Sequence, residues 1–292
     1  MTHEIKFTPY WWELAPPTQI EPQDIQSNCD AVVVGGGYAG LSAALTLARA
    51  GRSVQLVDAT IPGMGASTRN GGITSGNLRP NISNLIKTYG PQRATAMYTE
   101  GIIARYNLKK FIEEEKIDCQ FHLSGRFSGA WRPEHYDSLA REAELLNKNF
   151  DINASMVLKA DQHTEIGSNY YNGGMLRPDI GGLHPAQFHK GMVERALASG
   201  AKILPNTPVL GIRRERRNHQ VVTNRGTITA RDVIVCANGY TDNGIPWLRR
   251  RLVPVASQII VTEKLESQLM DTLMPKQRMI SESRHMGNYY RP

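Results

Sequence analysis

Three cysteines are all that this chain of 292 residues holds, and Cys29, Cys119 and Cys236 lie far apart, odd in number and without C-x-x-C spacing. That argues against a disulfide framework and against a zinc site of the usual spacing, and it makes a reducing cytoplasm the expected compartment. Long hydrophobic runs are missing as well. The longest apolar stretch is interrupted at Gly35–Gly37, so no transmembrane helix is expected. Residues 1–20 are polar and aromatic with no continuous apolar segment, unlike a secretory signal. Repeats and low-complexity tracts are absent too. What remains is an ordinary globular composition in a chain long enough for one large or two modest domains.

The charge is lopsided, at a net +7, and two arginine clusters stand out: Arg213, Arg214, Arg216 and Arg217, then Arg249, Arg250 and Arg251. Neither comes with a recognition motif or interleaved aromatics, so nucleic acid is not an expected partner. Solvated faces of strands and loops account for them, and the second run is also a candidate for steering an anionic substrate.

The segment that organises the chain runs from Asp30 to Asp58. An apolar run, Ala31 to Val34, precedes Gly35-x-Gly37-x-x-Gly40 and then apolar residues at helical spacing (Leu41, Ala44, Leu45, Leu47, Ala48), the pattern of buried strand, tight turn and helix. The three glycines have separate tasks. The first permits the turn, the second lets backbone approach a pyrophosphate, and the third lets the helix lie close on the strand. A second strand, Ser53 to Val57, ends in Asp58, 21 residues after Gly37, where an acid can hold a ribose hydroxyl. Strand, glycines, helix, strand and acid in that order predict a dinucleotide site. Downstream, Ile61 to Gly76 is glycine-rich and carries Ser67, Thr68, Arg69 and Asn70, donors suited to phosphate and ring heteroatoms.

The pairing of GGGYAG at 35–40 with GASTRNGG at 65–72 resembles the FAD-dependent oxidoreductases of the glycine/D-amino-acid oxidase (DAO) family, in its γ-glutamylputrescine oxidase-like branch. The resemblance continues through GGLHP at 181–185, TPVLG at 207–211, VIVCANG at 233–239 and Pro254-Val255, and so spans most of the chain. It implies an α/β fold with a Rossmann-like FAD-binding domain and an inserted mixed-sheet α+β substrate domain. It implies non-covalent FAD contacted by Gly35, Gly37, Ala39, Gly40, Asp58 and Ala59, by Ala66, Ser67, Arg69, Asn70, Gly71, Gly72 and Ile73, by the backbone of Val209, and by Ala237, Asn238 and Gly239. It also implies oxidation of the C–N bond of a small amine or amino acid, γ-glutamylputrescine-like, with hydride equivalents moving to the flavin and dioxygen or another acceptor reoxidising it. The cofactor carries such chemistry, which explains why no catalytic dyad is legible.

The rest of the chain reads as follows. Residues 1–28 form an extended arm pinned by Tyr10, Trp11 and Trp12; 29–80 and 182–250 form the FAD-binding domain; 81–181 and 251–292 form the substrate domain. Helices are expected over 80–116, with a break at Gly90, over 133–148, and from Pro185 to Gly200. Strands are expected at 118–131, 156–171, 202–204, 209–214, 220–223, 227–229, a buried 233–236 and a long 252–263. Tyr170 and Tyr171 are candidate substrate-wall residues, and His184 is a weak candidate for proton transfer beside a structural alternative. Relatives of the resembled family continue beyond the segment matching Tyr289-Tyr290-Arg291, so this chain on its own is expected to keep the ADP half of the site, to be poorly soluble or flavin-depleted, and to have little oxidase activity. Two other readings stay open: an NAD-dependent dehydrogenase, which uses the same glycines, and an inactive nucleotide-binding remnant.

Overall fold

A computed structural model describes residues 5–292 except Asn77 and Met286. The chain divides into two units, one comprising the chain up to Asn70, Ile117–Cys119 and His184–Ile260, the other Gly71–Lys116, Gln120–Leu183 and Val261–Pro292. The sequence-based boundaries at 80/81 and 181/182 differ from these, because Ile73–Thr74 pairs with Gly181–Gly182 and both belong to the second unit.

The first unit is built on a six-stranded sheet in the order Lys202–Leu204, Val54–Val57, Asn28–Val34, Gly226–Val235, Asn218–Thr223, Val209–Glu215. The first four strands are parallel and the last two join as antiparallel neighbours. Val32 and Val33 in the centre are sealed from solvent, as a strand covered on both faces requires. The helix Tyr38–Arg49 buries Leu41, Ala44 and Leu45 and packs on the helix Pro185–Ala198. It ends in a Schellman motif: Gly51, at φ +73°, donates to Ala48 O and Arg52 donates to Leu47 O. Gly226–Val235 is one ten-residue strand where two were expected. Its first half pairs antiparallel with Asn218–Thr223, and most of its length pairs parallel with Asn28–Val34. Its end is less covered than its pattern suggests, since Val233 to Cys236 are only half-buried.

The arm is not extended throughout, nor is it held by apolar burial alone. Tyr10–Trp12 form a 3-10 turn, and the two indole N–H groups donate 2.8 Å bonds, Trp11 to Asn70 O and Trp12 to Thr68 Oγ1. Further along, the fully buried Gln55 side chain exchanges two 2.8 Å bonds with the backbone of Gln26. A buried amide satisfied on both ends ties the arm to the sheet, and an apolar side chain there would leave the Gln26 groups orphaned.

The second unit holds a five-stranded mixed sheet in the order Tyr289–Tyr290, Met279–Glu282, Arg126–Gly129, Gly174–Arg177, Ser155–Val157. The helices Ile82–Tyr89, Pro91–Glu114 and Pro133–Phe150 supply Ile82, Leu85, Ala94, Tyr98 and Leu146 to a core that also takes in Met175 of the sheet. Phe127 and Ile280 instead pack with Ile166, Tyr171 and Met274. The break at Gly90, at φ +78°, falls where glycine and proline adjoin.

Three expected strands are corrected. Of 118–131 only Arg126–Gly129 is a strand, with an isolated bridge at His122. Of 156–171 only Met156 and Val157 are, in the strand Ser155–Val157, because the polar Lys159–Thr164 closes into a 3-10 turn around buried Gln162, whose amide bonds Ser168 O and Gly173 N. Tyr170 and Tyr171 thus lie in a loop, the first exposed and the second buried with its hydroxyl 3.0 Å from that of Tyr290. Residues 252–263 belong to no sheet, and Val253, Val255 and Ile260 are exposed.

The close approach of helix to strand rests on Gly40, where a Cβ would lie 1.8 Å from Gly35 O. Gly40→Ala must push two backbone segments apart and is expected to cost at least about 1–3 kcal/mol. Urea titration of the wild type and the variant measures it.

Candidate functional site

At the carboxyl ends of the parallel strands the strand order sets up a crevice of the kind open α/β sheets form. The chain winds from Asn28–Val34 outward through Val54–Val57 to Lys202–Leu204, then returns to the other side of Asn28–Val34 with Gly226–Val235. The winding direction reverses between those two strands, which is where open α/β sheets bind ligands. Gly35 leaves the first strand with φ +104°, and a Cβ on it would lie 3.0 Å from the carbonyl of Cys236 and 3.2 Å from Ala237 N. The turn after the first strand and the end of its parallel partner are therefore in contact, and glycine is required twice over, by conformation and by space.

The middle of the turn is gripped at both ends of one residue. Gly36 N donates to Asp58 Oδ2 at 2.7 Å, and His189 Nε2 donates to Gly36 O at 2.7 Å. Asp58 Oδ1 accepts from Thr60 N and Oγ1 at 2.8 and 3.0 Å. The acid is thus a clamp for the turn, with lone pairs left to accept from a ligand. His189 is only 1% exposed, and burial pushes its pKa below the usual histidine value, with the Gly36 bond and the Asp58 charge opposing that shift. The bond to a carbonyl assigns the proton to Nε2 of a neutral ring. This histidine was not picked out from the sequence, although it occupies an inward position of its helix between Phe188 and Met192.

Gly37 is the N-cap of the Tyr38–Arg49 helix and brings no side chain to it, while Ser67 Oγ accepts from Tyr38 N at 3.2 Å. A Cβ on Gly37 would meet only Ser67, its Oγ at 2.8 Å. Ala39 is exposed in the first turn. The Ala66–Thr68 3-10 turn is fixed by Asn70, whose Nδ2 donates to Ala66 O and Ser67 O at 3.1 and 2.9 Å. Arg69 is exposed, reaching Gly65 O and the Tyr240 hydroxyl. Ala59 is exposed beside Asp58. Asn238 takes the left-handed conformation, φ +47°, and its carbonyl accepts from the Thr241 hydroxyl at 2.7 Å. Gly239 follows in the same 3-10 turn.

These residues share the first unit; Gly71, Gly72 and Ile73 belong to the second. Val209 opens the edge strand, two strands beyond Gly226–Val235, and its carbonyl is overlaid by Gly244, where a Cβ would come within 2.0 Å. His184 is the N-cap of the Pro185–Ala198 helix. Its Nδ1 accepts from Gln187 N at 3.2 Å, its ring lies edge-on to Trp11, and it is buried. Capping and packing are what the structure has it do. Both arginine clusters are exposed, and Arg251 stacks over Trp247.

The crevice fits a dinucleotide: a glycine cradle that a Cβ would fill, a helix N-terminus without a side-chain cap, and hydroxyl and amide donors beside it. Among the described residues no group of three or more His, Cys, Asp or Glu side chains could hold a metal ion, and no helix is long and apolar enough to cross a membrane.

Comparison with known proteins gives a consistent picture. The pattern of the family described as FAD dependent oxidoreductase (DAO) matches residues 30–292. The gamma-glutamylputrescine oxidoreductase of Escherichia coli is 31% identical over 270 residues, 90% of this chain and 62% of that protein. The probable oxidoreductase OrdL of Haemophilus influenzae is 28% identical over 96% of this chain and 64% of its own length. The chain thus spans under two thirds of the length of these relatives. Among solved structures, L-proline dehydrogenase from P. horikoshii superposes with a TM-score of 0.66 at 19% identity, covering 91% of this chain and 67% of that one. Glycine oxidase from Geobacillus kaustophilus does so with 0.65 at 19% identity, covering 76% and 59%. At that identity they show the fold.

The His189 grip predicts a pH dependence. The folded ring binds a proton less readily than the unfolded one, so its contribution is complete above about pH 6.5 and is lost as pH falls below that value. Thermal melts from pH 8 down to about pH 5.5 are expected to show this loss in the wild type. His189→Gln, whose amide can donate to Gly36 O without titrating, should flatten that part of the profile.

Proposed function

Because the chain belongs to the FAD-dependent oxidoreductase (DAO) family, we propose that its first unit binds FAD non-covalently and that the protein oxidises the C–N bond of a small amine or amino acid. The observation that carries the reading is the doubly held glycine turn at the reversal point of the sheet. The pyrophosphate lies against the Gly35–Gly40 turn and the N-terminus of the Tyr38–Arg49 helix, where N–H groups and the helix dipole favour negative charge. Ser67 and Arg69 stand beside it as donors, and Asn70, whose Nδ2 holds the Ala66 and Ser67 carbonyls, shapes the turn that carries them. Asp58 accepts from the ribose while keeping Gly36 N–H, Val209 meets the adenine through its backbone, and Ala237 to Gly239 flank the AMP half. His189 touches none of these groups; it sets the position of the turn that does.

Bound FAD supplies the two-electron acceptor for C–N oxidation, and the residues above bind and orient it. The E. coli relative's name supports an amine of the γ-glutamylputrescine kind as substrate. The NAD reading rests on the same glycines and on Asp58, and it makes the opposite forecast in the same assay. Purified protein, stripped and then titrated with FAD or with NAD, is expected to take up FAD, seen as protein-bound flavin absorbance, and to leave NAD unbound. Retention of NAD alone would reverse the assignment. A panel of amines and amino acids, assayed for flavin bleaching, tests the reaction.

Two variants test the contacts. Gly37→Val places a branched side chain in the phosphate approach, against Ser67 alone, and is expected to abolish FAD uptake while circular dichroism stays unchanged. Asp58→Ala removes a charge-assisted acceptor worth about 1.5–3 kcal/mol, so fluorescence titration should show FAD binding weakened about 10- to 100-fold.

A further inference from the structure

Behind the mixed sheet of the second unit lies more positive charge than its own acids balance. Arg177 is 1% exposed and fully engaged: Nε and NH2 donate to Asp179 at 3.0 and 2.7 Å, and NH1 donates to the Tyr98 hydroxyl at 2.7 Å. Arg105 pairs with the same Asp179. Arg126 stands directly opposite Arg177 on the neighbouring antiparallel strand, so both side chains project from the same face. Its Nε is sealed from solvent without a hydrogen-bond partner, and the residue forms no ion pair among those described. Burial and the neighbouring Arg177 charge pull its pKa down to about 10.

The acids nearby are largely committed elsewhere or weakened. Asp179 serves two other arginines. Glu142 accepts from Ile82 N, and burial raises its pKa. Glu282 Oε1 accepts from Arg284 and from Asn288 N, while its Oε2 is buried without a partner. A guanidinium N–H sealed from water without a partner is costly, and a perturbed cation in a cleft marks a candidate site. In front of it opens a cavity of about 580 Å³, lined by Arg126, Arg79, Ser128, Ser281, Leu139 and Met175, a volume usual for small ligands. The planar fork of an arginine matches a carboxylate. Beside Arg126 the wall carries Glu142 and the exposed Arg79, a balance that suits a singly charged anionic group over a phosphate dianion, and Leu139 and Met175 suit an aliphatic chain.

We propose that this cavity binds a small aliphatic carboxylate, with Arg126 holding the carboxylate and Leu139 and Met175 flanking the chain. The site lies within the second unit and does not depend on the nucleotide reading of the first. The test is calorimetric titration of the 292-residue protein with butanoate, with the uncharged butanamide, and with inorganic phosphate. Butanoate is expected to bind saturably, and the amide and phosphate at least about tenfold more weakly. Arg126→Met should lose butanoate binding while its ligand-free melting temperature holds or rises, because a sealed, unpartnered Nε has been removed. Arg126→Lys keeps the charge without the fork, and should fold and bind butanoate more weakly than the wild type. No saturable binding to the wild type, equal binding of the amide, tighter binding of phosphate, undiminished binding by Arg126→Lys, or a large fall in melting temperature for Arg126→Met would each overturn the proposal.

Discussion

One peptide segment, centred on Gly36, carries the arrangement of the first unit. Its N–H is held by the carboxylate that ends the second strand, and its carbonyl by an imidazole 153 residues further along the chain. Asp58 and His189 have no bond to each other; the turn is what joins them. Neither partner is spared by water, since His189 is buried and the Gly36 residue is as well, so an unmade bond here would leave a stranded polar group. The position of the helix N-terminus, the approach of Cys236 and Ala237, and the seat of Thr60 all follow from where this residue is fixed.

Around it, glycine works through contact as much as through conformation. Gly63 makes room for the ring of His189, since a Cβ there would lie 2.9 Å from Cε1. The Thr68 hydroxyl donates to Gly63 O and accepts from the Trp12 indole. The aromatic arm, the GASTRN loop, the buried imidazole and the glycine turn thus form a continuous chain of hydrogen bonds and contacts. Networks of this kind are stabilising only when every member is satisfied.

Local pattern carried much of the fold. The strand, glycines, helix and acid at 30–58 were legible because each has its own spacing, and so were the break at Gly90 and the capped helix after His184. Illegible were the polar residues that work from inside. His189 and Gln55 look like blemishes on apolar faces until their partners, Gly36 O and the Gln26 backbone, are in view. Both partners are remote backbone groups, which no periodicity announces. The 156–171 stretch misled for a related reason: the β-like residues at its start do form the short strand Ser155–Val157, but it goes no further, because Gln162 closes the 3-10 turn that follows with two loop bonds. Residues 252–263 show the limit of β-propensity, which expresses neighbours on a pleated surface that this segment does not have.

The ten-residue strand Gly226–Val235 has a consequence for how the first unit assembles. Its antiparallel partner Asn218–Thr223 is next to it in sequence, joined at the Thr223–Gly226 pair, so this hairpin closes cheaply and early. Its parallel partner Asn28–Val34 comes from the opposite end of the unit's sequence, and that pairing must wait for a long loop to close. The hairpin therefore presents a preformed edge on which the first strand lands. The crevice exists only after that landing, because Gly35 meets Cys236 only when the two strands are side by side.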